Sequence, residues 1–443
     1  MKKRSFDNLP PLSKDEALNI LAKPLDQLEL SSDYYKAVFH LFNYPGADTE
    51  EALLELLECR SNEQCISIAR RKAIEILARH RCFNAIPAIA RYLESSDPYL
   101  VENAVWALKE LKCNDQEIIA SIVNLLDDPR QNKRLLIQSL AGLGVVSLLP
   151  YLRIYVGDKS LSPGVRGASI AALKKISGQS LHIRDLVDYL YLPKQNDRQC
   201  AVNDIIDSGQ IDLLPFVLNA PVAPSFRIRA LNTLWPESIE NLNGLDLYSS
   251  IDSLIFDDPG NLELPVKHNQ GHDDHYHVVS LLDTDFSKCC LSLRELLQRK
   301  PDVIWPILSL HLDQMKKDYG ALYFLMILFR SVSGWDKDAL VEIKSITLSC
   351  LGSQWPDFIK FKPVAILTLM KHYPSLANKN IPKWLNQSLT PYWVSRYAAL
   401  LALELLLEKE PNPFWIRSLR ESKRDPNRFV RGKAKRIEGK LFA

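Results

Sequence analysis

The chain has 443 residues, 47% of them hydrophobic and 24% charged, with a formal net charge of +2. That length exceeds what one compact core usually holds, and the near-neutral balance excludes a globally electrostatic nucleic-acid binder. No run reaches membrane-spanning length, and no apolar signal core follows the basic start Met1-Lys2-Lys3-Arg4, so a cytoplasmic location is expected. The eight cysteines include no Cys-x-x-Cys pair, which points to small core residues of a reduced protein rather than a zinc ribbon or disulfide framework.

Residues 12 to 28 read as a capping helix, with Ser13 as its cap, Glu16 three residues on, and Ala17, Leu18, Ile20 and Leu21 facing inward. Ser32-Asp33 opens the next helix, and Tyr44-Pro45-Gly46 turns the chain after it. Residues 51–57 and 66–77 form the following pair. The sharpest unit starts at Asp97-Pro98. Asp97 can cap the open N–H groups, and Pro98 has no N–H to lose in a first turn. Leu100, Val101, Ala104, Val105, Ala107 and Leu108 follow at helical spacing, and an amphipathic run over 85–93 supplies the partner helix.

The anchor that Ala104 marks recurs at Ala37, Ala73, Leu135, Ala168, Ala201 and Ala230. In chain order the steps are 36, 31, 31, 33, 33 and 29 residues. Helix pairs repeating every roughly 30 to 40 residues imply an all-α, α/α superhelix of HEAT-like solenoid type, in which each unit packs on its neighbours. Such a solenoid is curved, with a concave groove. Residues 1–256 form the N-terminal repeats in this reading. Residues 257–277 form an irregular His/Asp-rich loop. Residues 278–443 form degenerate helical repeats continuous with the first half.

Asp33-Tyr34-Tyr35-Lys36-Ala37-Val38-Phe39-His40-Leu41, Ala69-Arg70-Arg71-Lys72-Ala73-Ile74-Glu75 and above all Tyr99-Leu100-Val101-Glu102-Asn103-Ala104-Val105-Trp106-Ala107-Leu108 resemble the HEAT-repeat phycobilin lyases of cyanobacteria, of the E/F type. The single-chain phycoerythrin members are the most similar. A generic HEAT helix would carry a basic residue at the position of Glu102. The resemblance implies an enzyme that attaches a linear tetrapyrrole, phycoerythrobilin, to a cysteine of a phycoerythrin subunit, with the α subunit as the expected partner. It further implies isomerisation to phycourobilin. Phycoerythrobilin is then the substrate, with no tightly bound cofactor and no nucleic acid or membrane as partner. The alternative is a non-catalytic HEAT scaffold or bilin chaperone.

A bilin is long, flat and apolar, with two propionates and pyrrole N–H groups, so it calls for aromatics, cations and a carboxylate. Glu102 and Trp106 lie four apart on one helix face, with Asn103 beside them. Arg134, Arg166 and Asp204 are further bilin-binding candidates on second helices of the pairs, although HEAT arginines also bond the adjacent turn. An isomerase needs an acid and a base. Asp318 and Tyr319 adjoin at the start of an apolar helix, with Asp318 as base and Tyr319 as proton donor, or with Asp318 simply as the cap. His268, His272, His275 and His277 with Asp273 and Asp274 could bind zinc, but the spacing is loose, and a solvated loop without metal is expected. The last 33 residues carry ten Lys or Arg against three acids. RNA binding and a solvated cap are open readings of that excess. In light of the resemblance, Arg428 and Arg431 are expected to dock an acidic phycobiliprotein subunit.

Overall fold

A computed structural model describes residues 11–59, 61, 63–242, 244–264, 271–353, 361–408 and 413–442. The basic start and His268 lie outside the described residues. The described chain is helical apart from one hairpin, which pairs Asn241–Leu242 with Leu245–Asp246. Contacts divide it into two compact units, Met1–Ile183 and Arg184–Ala443.

In the first unit the expected capping helix is Lys14–Leu21, and it starts with a complete box. Glu16 N–H donates to Ser13 Oγ, and Ser13 N–H donates to Glu16 Oε2 at 2.7 Å. An inner row follows: Asp33–Leu41, Gln64–Arg79, Pro98–Glu110, Lys133–Gly142 and Pro163–Ser177, each packed on the next. Ala47–Glu58, Ile86–Ala90, Gln116–Asn124 and Leu149–Gly157 form the outer layer. Asp97 caps the Pro98–Glu110 helix, accepting from Tyr99 N–H at 3.0 Å, as its sequence implies.

The second unit begins the same way. Gln195–Ser208, Pro224–Leu234 and Leu247–Phe256 pack in sequence. Five further pairs follow, with inner helices Phe286–Leu296, Tyr319–Ser331, Lys362–His372, Trp393–Leu407 and Arg428–Phe442. This second row turns back on the first helices of its own unit. At one end Arg198 Nη2 donates to Asp285 Oδ1 at 2.5 Å, and Phe286 N–H donates to Gln195 Oε1 at 2.6 Å. At the other end Tyr397 OH and Lys433 Nζ donate to the two oxygens of Asp252 at 2.7 and 2.8 Å, and Arg436 donates to Asp246 at 2.6 Å. A side chain at Gly432 would collide with the Tyr248 hydroxyl, so glycine is required where these helices cross.

One device recurs in both units. An arginine near the start of an inner helix reaches back to the carbonyls that end the preceding outer segment. Arg70 Nε donates to Leu56 O at 3.4 Å, Arg166 to Val156 O at 3.1 Å, Arg198 to Leu192 O and Pro193 O at 2.9 Å, and Arg227 to Val222 O at 3.0 Å. Arg396 donates to Thr390 O and Pro391 O at 2.8 Å, and Arg431 to Asp425 O and Pro426 O at 2.7 and 2.6 Å. These carbonyls have no helical partner, so a charged donor satisfies both sides. Three residues after the arginine comes the inward-facing anchor: Ala73, Ser169, Ala201, Ala230, Ala399 and Ala434 are all buried. The same register moves two expected anchors, Ala168 by one residue to Ser169 and Leu135 by two. Leu135 is only half-buried, and the fully buried residue, three after Arg134, is Ile137. At the Pro98–Glu110 helix the arginine position is taken by buried Val101.

The stretch expected to be irregular over 257–277 is partly built. Asp257 is buried, and Asp273 caps a helix Asp274–Val279, accepting from Tyr276 N–H at 2.8 Å. His277 is 1% exposed and faces Ser292. A short capped turn hides in a run of polar residues because its inward positions are a histidine and a valine.

Candidate functional site

Five inner helices of the second unit start around one apolar cavity of ≈ 300 Å³. Pro224, Phe286, Tyr319, Pro363 and Tyr392 each line it from the first residues of a helix or its cap. Tyr323, Phe324 and Phe361 complete an aromatic wall, and Leu254 and Ile255 close it from the helix Leu247–Phe256. The volume is at the lower end of small-molecule sites, and the lining is mostly apolar, as such sites are. Helix starts carry partial positive charge, so the rim favours anions while the walls favour a flat apolar body.

Of the residues expected to act there, Tyr319 lines the cavity and is 45% exposed. Its neighbour Asp318 is the cap of the Tyr319–Ser331 helix, with Oδ1 accepting from Ala321 N–H at 2.9 Å. Cap and base are compatible, since the second carboxylate oxygen is not used in that bond. One turn on, Tyr323 joins a buried network that the sequence reading missed. Its hydroxyl donates to Asp257 Oδ2, and Arg227 Nη2 donates to Asp257 Oδ1 at 2.5 Å. The Arg227 and Asp257 side chains are 3% and 2% exposed. Burial, reinforced by the Asp257 charge, pushes the Tyr323 phenol well above its ordinary range. Burial likewise lowers the Arg330 guanidinium, whose Nη2 donates to Phe256 O at 2.5 Å. The signal available was the repeat arginine itself: Arg227 occupies the register of Arg198, and a buried arginine needs an anion nearby.

The other expected residues are dispersed. Glu102, Asn103 and Trp106 share the exposed side of the Pro98–Glu110 helix in the first unit. The Arg79 guanidinium sits over the Trp106 ring, 5.5 Å from its centroid, and Asn103 Nδ2 donates to Tyr99 O at 2.7 Å. Arg134 donates to Gly164 O at 2.6 Å, and Arg166 is the repeat arginine bonded to Val156 O. Asp204 belongs to the second unit and is 1% exposed. Arg431 is again a repeat arginine. Arg428 donates to Trp235 O at 2.9 Å and lies over the Phe429 ring, so both guanidiniums fasten the last helix to its own unit. Arg424 and Lys435 are exposed cations of that region, as are Arg417, Arg420 and Lys440.

Among the described histidines, His272 stacks on Tyr276, and the Nε2 atoms of His275 and His311 lie 3.2 Å apart. No group of three or more His, Cys, Asp or Glu side chains suited to a metal ion occurs among the described residues. Nor is any described helix long and apolar enough to cross a membrane.

No family profile matches the chain. It is 34% identical over 390 residues to the bilin biosynthesis protein CpeY of Synechococcus sp. (strain WH8020), covering 88% of this chain and 93% of that protein. It is 29% identical over 406 residues to the uncharacterized phycocyanin operon protein Y of Pseudanabaena tenuis (strain PCC 7409), covering 90% and 93%. Among solved structures, the complex of CpcE and CpcF of phycocyanin lyase from Nostoc sp. PCC7120 aligns with a TM-score of 0.47 and 23% identity, over 57% of this chain and 99% of that one. Human deoxyhypusine hydroxylase in complex with glycerol aligns with a TM-score of 0.22 and 17% identity, over 83% and 99%. By its full-length similarity to the bilin biosynthesis protein, and by its rows of paired helices, the chain belongs to the HEAT-repeat phycobilin lyases of the E/F type.

Proposed function

We propose that this protein attaches a linear tetrapyrrole to a cysteine of a phycobiliprotein subunit, and that the pigment is phycoerythrobilin, the client a phycoerythrin α subunit and the attached product phycourobilin. The observation that carries this reading is the aromatic cavity ringed by helix starts, in a chain 34% identical to a bilin biosynthesis protein. The flat pigment lies against Phe286, Tyr323 and Phe361, and its propionates meet the partial positive charge of the helix starts. In the first unit, the Glu102–Trp106 face is a separate candidate surface, with a carboxylate for pyrrole N–H groups and an indole for a pigment plane. Arg134 Nη1 and Arg166 Nη2 donate to backbone carbonyls, which favours a role for those two in the stack.

In attachment, the thiol sulfur bonds to the ethylidene carbon of ring A and the thiol proton ends on the tetrapyrrole, so nothing leaves. Isomerisation takes one carbon-bound proton and returns another elsewhere, which shortens the conjugation. Tyr319, on the cavity, is the donor, and Asp318, at the start of the same helix, is the base. Purified protein is mixed with phycoerythrobilin and the unpigmented α subunit, and covalent pigment is measured in the denatured product. Attachment above the spontaneous rate is expected. Attachment at the spontaneous rate with retained bilin binding would leave a scaffold or chaperone.

A further inference from the structure

The Arg227–Asp257–Tyr323 network stands beside the cavity, and packing alone does not require it. A buried ion pair is no better for stability than well-packed apolar residues, yet breaking one side of it is costly. Asp257 also holds a backbone φ of +44°, in the left-handed region that disfavours a residue with a side chain. Every element of the network touches the cavity region. Arg227 rises from the helix that begins at Pro224, Asp257 follows the helix carrying Leu254 and Ile255, and Tyr323 is itself in the wall. Arg227 is held in turn by Val222 O at 3.0 Å, and its guanidinium lies 5.9 Å from the Phe286 ring centroid. Asp257 therefore has both oxygens engaged, one by a fixed cation and one by the phenol. Tyr323, with its hydroxyl anchored, cannot swing about its side-chain torsions as an unanchored wall residue can.

The geometry points to Asp257 as the positioning residue of the cavity. Held by Arg227, it fixes the Tyr323 phenol, and the ring so fixed sets how a linear tetrapyrrole lies there and which of its carbons meets the incoming thiol. This rests on the bilin reading above. A bilin is flexible about its bridges, so a rigid aromatic plane selects one twist of it. The readout is then the shape of the bound pigment rather than only its affinity.

The test uses full-length protein, phycoerythrobilin and the unpigmented α subunit, with the variants Tyr323→Phe and Asp257→Asn. Tyr323→Phe keeps the ring and removes the anchor. Bilin affinity is expected to fall roughly threefold to tenfold, the size of one net hydrogen bond. The visible circular dichroism per bound pigment is expected to shrink or change sign, and the attached product to split into more than one adduct on chromatography. A purely structural role would lower the unfolding temperature and leave the dichroism per bound pigment and the single adduct unchanged. That result in folded Tyr323→Phe overturns the inference, whatever Asp257→Asn does. A Tyr323→Phe protein that no longer folds also overturns it, because the network is then scaffolding. Unmutated protein that binds no bilin overturns the functional reading itself. Normal binding with unaltered variants overturns this inference alone.

Discussion

Arg396 and Asp425, 29 residues apart, form a two-point ion pair, Nε to Oδ2 at 2.7 Å and Nη2 to Oδ1 at 2.9 Å, with side chains 2% and 5% exposed. The remaining Arg396 donor, Nη1, bonds two carbonyls, so a full charge is buried without an unmet donor on that fork. Like Arg198 and Arg227, Arg396 uses all three guanidinium nitrogens. Removing such a partner costs roughly 3–5 kcal/mol, because it strands a buried carboxylate. Arg396→Ala is therefore expected to lower the urea midpoint steeply. Arg417→Ala breaks an exposed pair with Glu421 and is expected to cost under roughly 1 kcal/mol. Equal midpoints for the two variants would show that the repeat arginines do not hold the stack.

Asp318→Asn and Tyr319→Phe separate attachment from isomerisation. Asparagine caps helices as well as aspartate, so the fold is expected to be unchanged. Both variants are expected to yield attached phycoerythrobilin without the blue-shifted absorption of phycourobilin. Phycourobilin formed at the normal rate by both would remove the pair from the chemistry.

The Glu102–Trp106 face is tested by the double variant Trp106→Ala, Glu102→Gln. Both side chains are half-buried on a helix whose core face is elsewhere, so helical content is expected to hold while bilin affinity falls. Unchanged affinity in a titration would show that this face does not bind the pigment.

Client docking is expected to weaken with salt, since exposed charges are screened. Arg424→Glu with Lys435→Glu is expected to slow association and leave stability unchanged. Arg428→Glu is instead expected to destabilise the second unit, because its guanidinium is tied to Trp235 O and covers Phe429. Association kinetics indifferent to both salt and the double reversal would exclude docking through these cations.

His40 and His277 are 2% and 1% exposed, and burial pushes both below their ordinary value of 6.5. The unfolded chain binds these protons more readily than the folded one. Their contribution is thus present above about pH 6.5 and is lost as the pH falls below it. Unfolding temperature is expected to drop between pH 7.5 and 5, and less steeply in His277→Gln. An identical slope in that variant would clear His277 of the effect.

The first unit was legible in the sequence because its inner helices from Asp33–Leu41 to Lys133–Gly142 each bury one face and leave the other partly exposed. Capping at Asp97 and Ser13 and small anchors such as Ala73 and Ala104 follow from local rules alone, and these elements stand where those rules put them. In the second unit the period fades for a physical reason. Residues 363–370 and 394–403 are buried on every side of their helices, so no polar stripe remains to mark a face. Local pattern also cannot tell a charge that meets solvent from one that meets a distant carbonyl, which is why Arg428 and Arg431 look available in sequence.

Taken alone, the sequence determined the all-α repeat and its register to within a residue or two, because short-range spacing and capping encode both, and its wording carried the resemblance to the family. Only the tertiary structure decided that the second row turns back on its own first helices, joining Tyr397 to Asp252 across 145 residues and Lys433 to Asp252 across 181. That return brings five helix starts to one cavity and Asp257 between Arg227 and Tyr323. Such contacts depend on the accumulated packing angles of many helices, and no window of sequence contains that sum.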